Sequence, residues 1–290
     1  MENFYFIKKK STVVTQDYVV QLFTGTTTWT APSTLVGTIK VLVVGSGGAG
    51  GGSGGGGGAA EAYYHSGYTV TPGNTYNVRV ATGQTYTDGT SVKPGWASWF
   101  DDGAIVALGG GGGGIYGAVG GNGACGGGCG RDKVGAGGTG SKGFNGGAGV
   151  TASNGGAGGG GGMGSVGISG GTDNVSRTGQ LSCGGSGVSY SSIFGTTDSN
   201  GYTIGDPNNP GWFCGGGGGY WQNDGNPSQA ERDAGTKKPA YGGKGGGGFG
   251  VYKLNTAYSQ EEKNGRRHTG SGGGSGGDGG CGVIVIKYTA

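Results

Sequence analysis

Gly45-Ser-Gly-Gly-Ala-Gly50 follows an apolar run and satisfies the spacing G-x-G-x-x-G. Such a turn holds a dinucleotide when a helix opens behind it and aims its N-terminus at the pyrophosphate. Here Gly-Gly-Ser and five further glycines come next, and such a run cannot sustain a helix. Structural glycine is expected there, and no cofactor. A phosphate-cradling G-x-x-x-x-G-K-[ST] loop is also missing, because Lys244 is followed by Gly245.

Cys125-Gly-Gly-Gly-Cys129 has a spacing suited to two metal ligands. Cys183, Cys214 and Cys281 form no second tight pair, and the histidines are His65 and His268. Three readings stand for the cysteines: buried or interface thiols, a zinc site, or one or two disulfides. The odd count argues against a complete disulfide framework, and buried thiols are favoured. Asp101-Asp102 pairs two carboxylates, but Gly103 follows, and Asp in a turn serves its own backbone. Nothing marks a Ser/His/Asp constellation. The expectation is a protein that is not an enzyme, with no catalytic residue and no bound metal.

Two sets of side chains suit contact with a partner. Glu261-Glu262 and Arg266-Arg267-His268 form a charged cluster. It reads either as a solvated loop or as a contact for an anionic surface glycan or protein. Tyr202, Trp212, Phe213, Tyr220 and Trp221 crowd a segment rich in turn formers. Rigid aromatics on loops supply contact area at low entropic cost. The competing reading is a local core that anchors the loops, or a seam between subunits.

The elements that must position these residues are strands. Residues 38–44 read as a buried strand, and 283–288 as a terminal strand that pairs with it. Residues 68–80 alternate about Pro72-Gly73 and read as a hairpin or strand pair. Residues 98–100 and 104–108 flank the Asp101-Asp-Gly103 turn. No stretch keeps a helical period.

Between the strands lies glycine, 84 of 290 residues. It recurs every third residue at 45–57, at 111–126, at 137–170 with one break at Ala152, and at 270–282. Seven prolines are far too few for collagen. With 5 Trp, 15 Tyr and 8 Phe the chain is also unlike a disordered one. Period three is that of polyproline II, which has no internal hydrogen bonds, so each amide must find a partner on a neighbour. Only glycine lets backbones approach that closely. The expected fold is all-β: a small β-sandwich frame with an inserted bundle of glycine-rich polyproline-II helices (polyglycine II) and long loops. At ~3.1 Å per residue, 137–170 would run about 105 Å, too long for one arm of a compact domain. A reversal is therefore expected at Thr151-Ala-Ser-Asn154.

A net charge of +3 gives no case for nucleic acid. No apolar run approaches the ~20 residues of a membrane span, so no membrane insertion is expected. The opening Met1-Glu-Asn-Phe-Tyr-Phe-Ile7 has no apolar core with a cleavage site and does not read as a secretory signal.

Taken together, several motifs resemble one family. They are Phe23-Thr-Gly25 with Thr28-Trp-Thr-Ala-Pro32, Val41-Leu-Val-Val-Gly45 running into glycine, and Thr69-Val-Thr-Pro-Gly-Asn-Thr-Tyr76. Ser98-Trp-Phe100, Ala107-Leu-Gly-Gly110 and the ending Gly276-Gly-Asp-Gly-Gly-Cys-Gly-Val-Ile-Val-Ile-Lys-Tyr288 complete the set. The pattern is similar to the glycine-rich domain of bacteriophage fibre and tail proteins, over about residues 23–290. The resemblance implies a virion protein, outside the particle at a fibre, tail or capsid surface. It also implies assembly in a reducing cytosol, which suits free thiols. Residues 1–22, with Lys8-Lys-Lys10, are then an attachment arm to other virion proteins or an extra strand. Residues 188–269 are loop insertions that meet a host cell-surface glycan or outer-membrane protein. A homotrimer is compatible with a fibre. The alternative within the same class is a head-fibre, decoration or connector protein that binds only other virion proteins.

Overall fold

The computed structural model describes residues 18–87, 92–151, 155–171, 181–221, 240–250 and 259–289. In the first part of the chain the strands are β1 (Tyr18–Phe23), β2 (Thr27–Thr30), β3 (Thr38–Val44), β4 (Ala62–Thr69), β5 (Thr75–Arg79), β6 (Ser98–Phe100) and β7 (Ile105–Ala107). Short pieces follow: β8 (Val188–Ser189), α1 (Ser191–Phe194), β9 (Gly205–Asp206), β10 (Asn209–Pro210), β11 (Trp212–Phe213) and α2 (Gln260–Lys263). The last strand is β12 (Val283–Thr289). The chain is all-β in character, with antiparallel sheets and two helices of four residues each among the described residues.

Two four-stranded sheets form the frame, in the orders β1-β12-β3-β4 and β2-β5-β6-β7. Strands β3 and β12 pair as expected, Val44 opposite Val283 and Val41 opposite Ile286. Ile39, Val41 and Val43 of β3 and Ile284 and Ile286 of β12 face the second sheet. There they pack with Trp29, Val78, Phe100 and Ile105. The opposite pleat of the same strands carries Leu42, Val44, Val283 and Val285, which pack with Ala59, Ala60, Phe194, Ile204 and Phe213. The sheet is thus a middle layer, buried on both faces. That accounts for the unbroken apolar run in these two strands, where a half-exposed strand would alternate.

One expectation changes here. Residues 68–80 are not a paired hairpin. Strand β4 belongs to the first sheet and β5 to the second, and the Pro72-Gly73 turn carries the chain between layers. Gly73 takes φ +81°, and the Asn74 amide donates to the Thr71 carbonyl at 3.1 Å. The two layers leave no room for β4 and β5 to be neighbours, a fact that local alternation cannot reveal. Residues 18–23 are strand β1, which pairs with β12 from Tyr18–Thr289 to Phe23–Ile284. The rest of the expected arm or extra strand, residues 1–17 with Lys8-Lys-Lys10, lies outside the described residues.

The glycine segments carry no regular element, yet their amides are not loose. Residues 55–60 show the rule. Gly55 and Gly58 donate to the carbonyls of Gly114 and Gly111; Gly56 and Ala59 to Gly158 and Gly161; Gly57 and Ala60 to Gly273 and Gly270. Donors three apart meet acceptors three apart on the same neighbour. The carbonyls of 55 and 58 accept from Gly51 and Gly48, those of 56 and 59 from Gly128 and Cys125, and that of 57 from Gly217. One short segment is therefore bonded to six others. The arms on either side of the expected reversal run antiparallel: Phe144 donates to Gly162, Gly147 to Gly159 and Val150 to Gly156. Residues 152–154 themselves lie outside the described ones.

Close approach explains the composition. A Cβ on Gly57 would stand 2.0 Å from the Gly48 carbonyl oxygen, and one on Gly55 2.0 Å from that of Gly128. Both obstacles are backbone and cannot rotate away. Gly25 has open space around it instead. Gly57→Ala should lower the unfolding free energy by about 3 kcal/mol or more or abolish folding. Gly25→Ala should stay within about 0.5 kcal/mol of the parent. Urea unfolding of the two variants checks this.

Candidate functional site

The late loops build a concave surface with charged and polar walls. Helix α2 begins with a capping box. The Glu262 amide donates to Ser259 Oγ at 3.3 Å, and Glu262 Oε2 accepts from the Ser259 amide at 2.8 Å. Asn264 then ties the helix end to a distant turn. Its Oδ1 accepts from the Asp278 amide at 2.8 Å, and its Nδ2 donates to Asp278 Oδ2 at 3.3 Å. Asp278 Oδ1 accepts from the Tyr86 amide at 2.7 Å, which brings in the segment after β5. The Gly265 amide donates to the Asp278 carbonyl, the Arg266 amide to Gly246, and Thr269 Oγ1 to the Arg266 carbonyl.

These bonds hold Arg266, Arg267 and His268 along a groove of about 730 Å³, with Thr85, Pro207, Glu261, Asp278 and Cys281 also on its walls. Arg266 lines a second, smaller cavity of about 130 Å³ as well, with Asp206, Asn208, Asn209 and Lys244. Asp206 holds the β9–β10 tip by accepting from the Asn208 amide at 3.0 Å and Asn209 Nδ2 at 2.9 Å. Lys244 Nζ lies 3.7 Å from the centre of the Trp212 ring, a cation–π contact. Among the described residues one ion pair forms, Lys142 with the buried Glu61 at 3.9 Å, and it is elsewhere. The guanidinium groups of Arg266 and Arg267 have no carboxylate partner among those residues.

The structure sorts the expected contact residues. Arg266 and Arg267 stand on the groove, and Arg267 is exposed. Trp212 is half-buried beside the second cavity under Lys244. Tyr202 is 67% exposed but lines neither cavity. It rides a turn in which Asp198 Oδ1 accepts from the Asn200 and Tyr202 amides. Phe213, Tyr220 and Trp221 are buried. Phe213 belongs to the core cluster against the middle sheet, and the Arg131 guanidinium lies 5.1 Å from the Tyr220 ring centre. Trp221 fills the space over Gly156. These three follow the loop-anchoring reading. Residues 188–269 are accordingly more than insertions, since Phe194, Ile204 and Phe213 complete a core.

Motifs with other readings resolve simply. Residues 45–51 are buried, and a Cβ on Gly47 would stand 1.9 Å from the Ser271 carbonyl oxygen, so no pyrophosphate can reach that turn. Asp101 and Asp102 take φ +52° and +49° in the β6–β7 turn. They accept from Tyr68 Oη at 2.5 Å and Asn77 Nδ2 at 2.8 Å. Cys125, Cys129, Cys214 and Cys281 are free thiols. Burial pushes the Cys125 thiol up to about 12, and Cys214, fully buried, well above its ordinary value. Neither is poised for nucleophilic chemistry.

Sequence reasoning placed Arg266, Arg267 and His268 but missed Thr85, Asn264, Asp278 and Lys244. Their bonds join residues up to 192 positions apart, and no local pattern encodes them.

All-β sheets packed against close-set glycine segments define a class of glycine-rich domain. The chain belongs to the glycine-rich domain family, whose model matches residues 21–226. No curated protein matches it. The groove residues from 259 to 281 lie beyond the matched span. No helix among the described residues is long and apolar enough to cross a membrane.

His268 makes the groove pH-sensitive. It holds φ +60°, and its Nδ1 is buried without a hydrogen-bond partner. Burial lowers its pKa, opposed by a hydrogen bond with the Gly282 backbone and reinforced by the Arg267 charge. Glu261, Asp278 and Cys281 line the same groove. Below the ordinary histidine pKa of about 6.5, the unfolded chain binds this proton more readily than the folded one. Stability from His268 is therefore complete above that pH and is lost as pH falls below it. The melting temperature should drop between about pH 7 and pH 5. His268→Asn, which tolerates the same backbone, should drop less; an identical slope in calorimetry would refute the assignment.

Proposed function

We propose that this chain is a non-enzymatic structural protein of a bacteriophage virion, a fibre or adhesin that presents loops for host-surface attachment. The observation that carries the reading is the groove. Arg266 and Arg267 carry charge that no carboxylate among the described residues pairs, on backbone pinned by Asn264, Asp278, Gly246 and Thr269. A surface fixed before contact loses little conformational entropy on binding. The framing motifs from Phe23-Thr-Gly25 to the 276–288 ending support the virion class by resemblance. Its partners in this reading are a host cell-surface glycan or outer-membrane protein, and other virion proteins through the residues before β1. A homotrimer suits that role.

The glycine segments, in the same reading, are polyglycine-II helices. The three-residue repeat of donors and acceptors at 55–60, bonded to six neighbours, supports this. Polyproline-II chains without internal bonds can be satisfied in that way alone. Amides at 55–60 and 144–150 should then exchange with deuterium as slowly as those of β3 and β12. Exchange within seconds at these positions would sink the lattice.

Location tests the function. Fab fragments raised against the folded chain, imaged by electron microscopy on virions from the source lysate, should decorate the distal end of a fibre or tail. Decoration of the capsid shell would favour a head-fibre or decoration protein. Particles that carry none of the chain would end the virion reading.

A further inference from the structure

We propose that the groove under Arg266 and Arg267 binds a sugar residue that bears an oxyanion, either carboxylate or phosphate. The inference rests on the host-attachment reading and names the chemistry that surface would recognise.

The case begins with which charges are already engaged. Asp278 accepts from the Tyr86 amide and from Asn264. Asp206 accepts from Asn208 and Asn209. Glu262 closes the capping box of α2. These carboxylates are held by the scaffold itself. Lys244 lies over Trp212. What is left on the walls is Glu261 and two guanidinium groups that no described carboxylate meets. Each guanidinium presents five N–H donors and no acceptor. Donors therefore outnumber free acceptors, and a ligand that brings acceptors would replace the water on these guanidinium groups. A planar fork of two donors fits a carboxylate or phosphate edge.

Size and setting narrow the ligand. A single inorganic ion would leave most of a groove of about 730 Å³ as water. The volume falls within the range of about 300–1,000 Å³ typical of small-molecule sites. Thr85, Asn264 and His268 add polar groups on the walls, and Pro207 adds an apolar one. That mixture suits a ring with several hydroxyls and one charged substituent. His268 supplies a second sign of function, because a non-glycine residue at φ +60° with a buried, unpartnered Nδ1 is a strained choice that the fold retains at this place.

The test is a titration of the intact, ¹⁵N-labelled chain, with amide shifts followed at 264–268 and 278–281. Four probes separate the sources: D-glucuronate, D-glucose 6-phosphate, D-glucose and inorganic phosphate. At least one of the two acidic sugars should saturate with a Kd of about 1 mM or tighter. It should bind at least about tenfold more tightly than glucose and inorganic phosphate. Arg267→Gln, at an exposed position, should weaken it about tenfold or more with an unchanged melting temperature. Arg266→Lys keeps the charge, loses the fork, and should weaken it too. The proposal is overturned if neither acidic sugar saturates, if glucose or phosphate binds as well, or if Arg267→Gln binds like the parent. Failure here with fibre-tip decoration intact would remove the groove and leave host attachment standing. A saturable titration with capsid decoration would do the reverse.

Discussion

The carbonyl oxygen of Gly48 stands 2.0 Å from where a Cβ on Gly57 would be, and the same geometry recurs at Gly55, Gly56 and Gly58. Backbones this close can exchange hydrogen bonds directly across segments, and they do so at 55–60 in every available direction. The arrangement answers a severe entropic demand. Ordering a residue costs ~1–2 kcal/mol, and glycine loses the most freedom. A globular domain offsets that cost by burying side chains, which glycine lacks. Here the offset comes from amide–carbonyl bonds shielded from water, with dense backbone packing around them. Two alanines in this segment have a destination for their methyl groups. Ala59 and Ala60 face the apolar cluster under the middle sheet, within a run whose other members are glycine.

The frame depends on that constraint as well. Strands β3 and β12 are apolar on both pleats because the glycine segments and residues 188–214 cover the face that solvent would otherwise meet. Lys287 marks the edge of this cover. It lies toward the end of β12, donates to the Ile193 carbonyl at 2.7 Å, and packs its charge against the Tyr18 ring at 4.6 Å. The outer edge of β1 is closed by a turn from far along the chain, with the Ser199 amide donating to the Val20 carbonyl and Ser199 Oγ accepting from the Val20 amide. An exposed strand edge is an aggregation hazard, and this contact covers part of one.

How much could be read from the chain follows from the range of each interaction. Strand identities in 38–44, 98–100, 104–108 and 283–288 were legible, because apolar runs and an Asp-Asp-Gly turn are local signals. The pairing of β12 with β3 was legible because two doubly buried strands need each other. The partition of β4 and β5 into different sheets was not, since alternation about Pro72-Gly73 is the same whether the strands pair or separate. Period-three glycine announced that amides must find distant partners, but not which ones. The groove was half legible. Arg266 and Arg267 are adjacent and conspicuous, whereas Asn264, Asp278 and the Tyr86 amide meet only once the lattice has folded. Aromatic content misled in part, because Phe213, Tyr220 and Trp221 serve the interior.

A scaffold of this kind also explains why a strained surface survives on it. His268 sits in the left-handed region, and its neighbours Thr269 and Ser271 are fully buried with their hydroxyls bonded to each other at 2.6 Å. Gly270 between them is enclosed by Val44, Gly45 and Ala60. The chain on the far side of His268 is therefore fixed by contacts that owe nothing to the histidine, and the local cost is outweighed by structure around it. Loops on an ordinary surface would relax to relieve such strain. In a network held mainly by backbone hydrogen bonds, side chains at the rim change with little effect on the interior. Variation at Arg266, Arg267 or Trp212 would, in the proposed role, alter what the surface binds while the amide network beneath keeps its shape. In the proposed role, that separation lets contact residues diverge faster than the glycine that holds them.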